Sequence, residues 1–197
     1  MYKKSFFFTF ALIIVALIVY LYFVIFSQPA LEKDIRSQYL KGGDFQLMHN
    51  GKPFTLSQLK GRPVILYFGY TYCPDVCPVG LALIRDVLRS SKELENVPAI
   101  FVTIDPDRDT AEKLKEYVSF FHPNIIPLRG TELETQKVIH AYGGFFRKSA
   151  PENSNAAEYL VDHSAYYYLI DSEGELVRVY DHSVTSEQLA ESLRSVL

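Results

Sequence analysis

The sequence predicts an α/β fold, in which a mixed β-sheet is flanked by helices and is preceded by one transmembrane helix. Three observations support this prediction. A long stretch near the N-terminus has no charged residue, two buried-looking apolar runs are each followed by a segment with helical periodicity, and the chain ends with two strand-like segments and a last helix. Strands that alternate with helices predict parallel pairing through crossover helices.

The N-terminal segment is the predicted membrane anchor. Residues 5–31 contain no charged side chain, and the apolar part at 6–26 would be about 32 Å long as a helix, which matches a hydrocarbon core of about 30 Å. A cleaved signal peptide has an apolar core of about 7–15 residues and a small-residue cleavage site, neither of which fits this stretch. We therefore predict an uncleaved anchor at residues 5–27, with residues 1–4 in the cytoplasm.

The charges around the anchor predict its orientation. Lys3 and Lys4 precede the apolar stretch, and the first charge after it is Glu32. Because basic residues favour the cytoplasmic side, the rest of the chain should lie outside the cytoplasm, which for a bacterial inner membrane means the periplasm or the cell exterior. Beyond the two lysines, 18 basic residues stand against 23 acidic ones. This negative balance disfavours nucleic acid as a partner.

The remaining sequence divides into a polar linker at residues 28–42 and one domain at residues 43–197. Residues 45–54 form a predicted hairpin, because Asn50-Gly51 supplies a turn that tolerates positive φ. The apolar run 62–69 contains β-branched and aromatic residues and is bounded by Gly and Pro. It therefore predicts a buried central strand.

Helical and strand-like segments alternate after the central strand. Apolar residues recur at helical spacing in residues 77–90, 110–121 and 132–141, so these segments are predicted helices. Residues 99–104 and 126–128 are short apolar runs, which are typical of buried strands.

The C-terminal third completes a thioredoxin-like arrangement. The polar stretch 149–157 contains Pro151 and predicts an exposed loop within an inserted hairpin. Strands are predicted at residues 166–170 and 175–180, and a closing helix at residues 186–196. The predicted fold is thus thioredoxin-like, with an N-terminal β-hairpin and an inserted hairpin.

Two cysteines, Cys73 and Cys77, lie where the central strand gives way to the first helix. A disulfide between residues so close in sequence would restrain little chain entropy, so a chemical role is favoured over a stapling role. Cys77 lies near a helix N-terminus, where unpaired amides lower the pKa of a thiol. Thiol–disulfide exchangers of this fold usually have two residues between their cysteines. The three found here also allow both sulfurs to face one metal ion.

Among the five histidines, His163 is the candidate third ligand. It directly precedes the strand 166–170, which should lie antiparallel beside the central strand, so that the start of one meets the end of the other. His163 should therefore lie about 5 Å, one strand spacing, from the cysteine turn. Two sulfurs and one imidazole form a soft donor set that suits copper. The alternative is a core histidine that bonds to the backbone.

The other histidines fit this site less well. His182 ends the next strand and should lie roughly 10 Å away, while His49, His122 and His140 are interpreted as surface or satisfied polar residues. Thioredoxin-type exchangers also place a cis-proline opposite their cysteines, but this chain has no proline after Pro151. Its absence favours metal binding over disulfide exchange.

Three strings of this sequence resemble the Sco/SenC family of copper-binding proteins, which are needed for cytochrome c oxidase assembly. They are FGYTYCPDVCP at residues 68–78, TIDPDRDT at 103–110 and YLVDHS at 159–164, and the resemblance covers about residues 40–197. Ala111 departs from the pattern, because a proline is common there. The resemblance implies that Cys73, Cys77 and His163 bind copper, as Cu(I) or Cu(II). It also implies that the protein serves the dinuclear copper site of cytochrome c oxidase subunit II.

Four aspartates near the cysteines need a separate interpretation. Asp105, Asp107 and Asp109 follow the second parallel strand, at the same edge of the sheet as the cysteines. They could supply oxygen ligands or a docking surface, but we favour loop structure and capping of the next helix by Asp109-Thr110. Asp75, between the cysteines, is expected to be exposed and available to a partner.

Other functions could use the same cysteine pair. One is a thiol–disulfide reductase that acts on the oxidase cysteines, and another is a copper or redox sensor. A peroxiredoxin-like peroxidase would need an arginine beside its cysteine, and none flanks Cys73 or Cys77 in sequence. We expect a metallochaperone rather than an enzyme.

Overall fold

The computed structural model describes residues 13–22, 42–149 and 159–197. The chain divides into two compact units, Met1–Tyr39 and Leu40–Leu197. Residues 13–22 are helical. The other parts of the predicted anchor, and nearly all of the predicted linker, lie outside the described residues. Within the ranges that are described, no helix has the length and apolar character needed to cross a membrane.

The second unit contains nine strands and four α-helices within its described residues. The strands are β1 (Gln46–His49), β2 (Lys52–Thr55), β3 (Val64–Gly69), β4 (Ala99–Thr103), β5 (Ile125–Leu128), β6 (Phe146–Ser149), β7 (Leu160–His163), β8 (Tyr167–Ile170) and β9 (Leu176–Tyr180). The helices are α1 (Val76–Arg89), α2 (Ala111–Ser119), α3 (Glu132–Ala141) and α4 (Ser186–Arg194). A short 3-10 helix, Leu56–Leu59, links β2 to β3. Most predicted elements are confirmed, with ends that differ by one or two residues.

A five-stranded sheet forms the centre of this unit, in the order β5-β4-β3-β8-β9. β3 pairs in parallel with β4 and antiparallel with β8, and Tyr67 lies opposite Tyr167. The antiparallel pairing predicted from the element order is therefore confirmed. The segment that carries both cysteines, residues 70–77, is called the cysteine segment below. It begins at the end of β3, which lies at the same edge of the sheet as the start of β8.

Two apolar clusters cover the two faces of the sheet, which explains why every residue of β3 is buried. Alternate side chains of a strand point to opposite faces. Leu66 and Phe68 accordingly join the cluster that includes α3 and the β1–β2 hairpin, whereas Ile65 and Tyr67 join the cluster with α1, α2 and α4. This packing holds the central strand rigidly at the point where it leads into the cysteine segment.

Two hairpins form two-stranded sheets of their own, separate from the five-stranded sheet. In the β1–β2 hairpin, Asn50 and Gly51 have φ values of 49° and 77°, as the predicted turn requires. β6 and β7 form the inserted hairpin, in which Phe146 lies opposite His163. The loop predicted at residues 149–157 lies almost entirely outside the described residues. His163 is thus the last residue of a strand rather than part of a connection, because pairing with β6 extends the chain there.

Candidate metal centre

The cysteine segment begins at the end of β3 and leads into α1. Cys73 lies in the connecting loop and Cys77 in the first turn of α1. Gly69, the last residue of β3, lies very close to the thiol of Cys77. A Cβ atom at this position would lie 2.9 Å from Sγ of Cys77 and 2.8 Å from Cε2 of Phe101. A residue without a side chain is therefore required where the strand passes behind the thiol.

Cys73, Cys77 and His163 converge at this edge of the sheet. The backbone N–H of Cys77 donates to Sγ of Cys73 at 3.4 Å, and Sγ of Cys77 lies 3.4 Å from Nε2 of His163. One side-chain donor atom from each residue lies within 4.8 Å of the other two. Cys77 is fully buried, while Cys73 and His163 are half-buried. The predicted proximity of the imidazole to the two sulfurs is confirmed.

The imidazole of His163 is oriented by its neighbours. Its Nδ1 lies 3.2 Å from the backbone oxygen of Ser164, and its Nε2 faces the sulfur of Cys77. The ring also meets the ring of Tyr70 edge to face, with centroids 5.9 Å apart. No cis peptide bond occurs in the described ranges. The cis-proline that is typical of disulfide exchangers is therefore not found beside His163.

The two thiols differ strongly in acidity. The pKa of Cys73 is lowered to about 3, chiefly by a hydrogen bond from the Cys77 thiol and further by bonds from His163 and backbone amides, although partial burial opposes this. The same bond and complete burial raise the pKa of Cys77. The opposite shifts describe one coupled pair, in which a proton stays on Cys77 while Cys73 is a thiolate.

This donor set fits a soft metal ion. Thiolates and imidazole are typical ligands of Cu(I) and of Zn²⁺. A structural zinc site needs four protein ligands, whereas the group here supplies three, and the described part of the chain contains no other group of three or more His, Cys, Asp or Glu arranged to hold an ion. The residues present therefore fit a three-ligand copper site better than a closed zinc site.

Asp109 has a different role from the one predicted. Thr110, not Asp109, caps α2 by accepting a hydrogen bond from the Lys113 amide. The fully buried carboxylate of Asp109 instead accepts bonds from the amide and hydroxyl of Thr71, at 3.0 and 2.5 Å, and from the hydroxyl of Thr103 at 2.6 Å. The capping interpretation is confirmed for Thr110 and wrong for Asp109, because the Asp109 carboxylate points back into the protein. There it holds the cysteine loop, residues 70–75, against the end of β4.

The other aspartates lie in contrasting environments. Asp105 is fully buried and forms an ion pair with Arg108, whereas Asp107 is exposed and pairs with Lys148 at 2.8 Å. Asp75 is exposed, as predicted. None of these aspartates belongs to the group that could hold a metal ion.

Sequence reasoning missed Arg108. Its guanidinium carbon lies over three tyrosine rings, 3.7 Å from the centroid of Tyr159, 4.9 Å from Tyr72 and 5.8 Å from Tyr70. An arginine was sought only beside the cysteines in sequence, but this one reaches their loop from the segment after β4. The only available signal was its place in the TIDPDRDT string.

The remaining histidines do not join the metal site. His182 is exposed and follows β9, which is separated from β3 by β8. Nδ1 of His49 lies 2.9 Å from the backbone oxygen of Pro127, and His140 is exposed on α3. His122 is buried rather than at the surface, and its Nδ1 accepts a bond from a backbone amide.

Comparison with known proteins gives consistent matches. Residues 33–197 match the family described as SCO1/SenC. The chain is 40% identical over 161 residues to the mitochondrial protein SCO2 of Saccharomyces cerevisiae, which is 78% of this chain but 53% of the yeast protein. It is 34% identical over 157 residues to a SCO2-like protein of Rickettsia prowazekii, covering 78% of this chain and 76% of that protein.

A solved structure shows the same fold with metal present. The structure of Bradyrhizobium japonicum ScoI with copper bound has a TM-score of 0.70 and 41% sequence identity to this chain, covering 80% of this chain and 99% of that one. This chain spans about half the length of its yeast relative and three quarters of its Rickettsia relative.

Proposed function

Because this chain belongs to the SCO1/SenC family, we propose that it binds copper and takes part in the assembly of cytochrome c oxidase. The observation that carries this proposal is the convergence of two thiols and one imidazole at one point. A relative of known structure and the same fold contains bound copper. Cys73, Cys77 and His163 are the proposed ligands of the ion, which is cargo rather than a resident cofactor.

In the finer form of this proposal, the acceptor is the dinuclear copper site of oxidase subunit II. That site lies outside the cytoplasm, so the donor must be displayed on the same side. The predicted anchor at residues 5–27 would hold the domain at the inner membrane, facing the periplasm or cell exterior. A half-buried thiolate at Cys73 and a half-buried imidazole at His163 leave a side from which an acceptor can approach.

Copper binding in this proposal depends on the redox state of the pair. Oxidation to a Cys73–Cys77 disulfide removes two electrons and two protons, which pass to a partner disulfide that becomes two thiols. Both sulfur ligands are then lost. Only the reduced protein should therefore bind copper with high affinity.

The acidity of Cys73 favours a second candidate, a thiol–disulfide reductase of the oxidase cysteines. A thiolate is the nucleophile in such exchange, and Cys73 is both ionised and partly accessible. It would attack the partner disulfide and release one partner thiolate, and Cys77 would then displace the second. The products are two partner thiols and a Cys73–Cys77 disulfide, so electrons and bonds balance.

Metal analysis of the reduced protein tests the copper proposal. The native protein should retain stoichiometric copper after gel filtration, whereas Cys73→Ser and Cys77→Ser should retain none. His163→Ala should weaken binding and change the optical and EPR spectra of the Cu(II) form, because one nitrogen ligand is lost. His182→Ala is the matched control and should leave copper binding and the Cu(II) spectra unchanged.

Three results bear on these two candidates. Stoichiometric copper in either serine variant would contradict the proposed ligand set. Rapid reduction of an oxidised subunit II fragment by metal-free protein, undiminished in His163→Ala, would favour the reductase instead. Transfer of copper to the reduced fragment, lost in His163→Ala, would support the role as a copper donor.

A further inference from the structure

Arg108 lies between the two segments that supply the candidate ligands. It follows β4 in the loop that leads to α2, and it contacts both the cysteine loop and the start of β7. The arginine is not a candidate ligand. Its side chain is 17% exposed, and its partner Asp105 is fully buried. Burying both charges has a desolvation cost, which their attraction offsets only when the geometry is good and further hydrogen bonds satisfy the remaining polar atoms.

The contacts of Arg108 with β7 are made through Tyr159. Nε of Arg108 donates to Oδ2 of Asp105, and Nη1 donates to the backbone oxygen of Tyr159 at 2.9 Å. The hydroxyl of Tyr159 donates to the other oxygen of Asp105 at 2.5 Å. The Tyr159 ring also lies 3.7 Å from the guanidinium carbon. Two hydrogen bonds and one stacking contact thus hold Tyr159, which leads into β7, and the Arg108–Asp105 bond joins its two partners.

The contacts of Arg108 with the cysteine loop are made through aromatic rings. Its guanidinium carbon lies 4.9 Å from the ring centroid of Tyr72 and 5.8 Å from that of Tyr70. The hydroxyl of Tyr70 accepts a bond from the Val161 amide at 3.2 Å, and its ring meets the imidazole of His163. Tyr70 therefore continues the connection from the arginine to the end of β7.

These contacts form one continuous link between the sulfurs and the imidazole. Tyr72 precedes Cys73 in sequence, and Tyr159 lies four residues before His163. A planar guanidinium can bond in two directions while its face stacks on an aromatic ring, which an ammonium group cannot do. The structure therefore offers a reason for an arginine, rather than a lysine, at this position.

We propose that Arg108 is a positioning residue, which holds the β7 strand against the cysteine loop and so sets the distance between His163 and the two sulfurs. This inference rests on the proposed metal-binding function only for its effect on copper. Its geometric part applies to the metal-free protein. Groups that orient metal ligands commonly change affinity by about 10–100-fold when they are removed.

The test compares two arginines that both contact the inserted hairpin. Arg108→Met removes the link, whereas Arg147→Met removes an exposed ion pair with Asp162, at 3.4 Å, on the same strand as His163. NMR spectra of the reduced, metal-free proteins would measure cross-relaxation between the rings of Tyr70 and His163. We expect this signal to weaken or disappear in Arg108→Met and to remain in Arg147→Met.

Copper affinity and the Cu(II) EPR spectrum provide the second readout. Arg108→Met should raise the Cu(I) dissociation constant by about tenfold or more and alter the EPR parameters, while Arg147→Met should change the constant by less than about twofold. If Arg108→Met does not fold, Arg108→Lys decides the question, because the retained charge still pairs with Asp105. The lysine variant should show the same changes in weaker form.

The metal-free measurement separates this inference from the proposed function. A native ring-to-ring signal in a folded Arg108→Met or Arg108→Lys protein would overturn the positioning role, whatever metal is bound. Loss of that signal in a protein that never binds copper would support the positioning role and contradict the copper function. Equal loss in Arg147→Met would also overturn the inference, because any contact on the hairpin would then suffice.

Discussion

Nε2 of His163 lies 3.4 Å from Sγ of Cys77, although 86 positions separate the two residues in sequence. The antiparallel pairing of β3 with β8 brings them together, because it places the entry to β8 at the edge where β3 leads into the cysteine segment. The inserted β6–β7 hairpin then fixes the backbone of His163 through its pairing with Phe146. The candidate site therefore depends on long-range strand pairing rather than on any local motif alone.

The first prediction concerns the reactivity of the two thiols. Limited alkylation of the reduced, metal-free protein with iodoacetamide should modify Cys73 well before Cys77, because the first is an accessible thiolate and the second is a buried thiol. Peptide mass spectrometry at increasing times would measure the order. Equal alkylation rates of Cys73 and Cys77 in the folded protein would contradict the assignment of the proton to Cys77. Denatured protein is the control, because the difference between the two rates should vanish there.

The second prediction concerns the pH dependence of copper binding. The lowered pKa of Cys73 means that it is already ionised at neutral pH, whereas the raised pKa of Cys77 means that its proton must leave when copper binds. Lower pH increases competition from that proton, so affinity should fall by about tenfold for each unit of decreasing pH. Competition with a Cu(I)-chelating dye across a pH series would measure the slope, and a slope of two protons would contradict the prediction.

The third prediction concerns the close approach of Gly69 to Cys77. Gly69→Ala should lower the free energy of unfolding by about 1–3 kcal/mol, because the new methyl group would overlap Sγ of Cys77 and the Phe101 ring. It should also weaken copper binding, because the sulfur must move. Chemical denaturation and copper titration would measure the two effects.

Gly130→Ala is the matched control for this substitution. Its methyl group would also meet a close neighbour, at 2.6 Å from Cδ2 of Leu47, but no candidate ligand. Stability should therefore fall in both variants, while copper affinity should fall only in Gly69→Ala. Unchanged affinity in a folded Gly69→Ala protein would show that the thiol has more room than the structure indicates.

The fourth prediction concerns the buried carboxylate of Asp109. Asp109→Asn should destabilise the protein by about 1–3 kcal/mol, because an amide cannot accept all three hydrogen bonds from Thr71 and Thr103. The cysteine loop should loosen as a result. Hydrogen exchange at the Thr71 amide should therefore be faster than in the native protein.

An exposed aspartate from the same loop provides the comparison. Asp107→Asn removes a surface ion pair with Lys148 and should change stability by less than about 1 kcal/mol. It should leave exchange at Thr71 unaffected. If the two asparagine variants behaved alike, the proposed support of the cysteine loop by Asp109 would be wrong.

The sequence by itself was sufficient for the order of strands and helices and for the approximate place of His163. Both depend on local periodicity and on general rules of strand pairing, which need no knowledge of side-chain packing. The Asn50-Gly51 turn was likewise predictable, because few residues adopt positive φ without strain. The roles of the candidate ligands, the anchor at residues 5–27 and the oxidase partner remain predictions.

The tertiary structure alone decided what surrounds the candidate ligands. Asp109 was interpreted as part of a helix cap, since the sequence places it beside Thr110, but its carboxylate faces Thr71 across the domain. Arg108 pairs locally with Asp105, but its three tyrosine neighbours come from distant segments, with Tyr159 51 positions away. Packing brings such distant loops into contact, and no periodicity along the chain encodes which polar side chains will meet there.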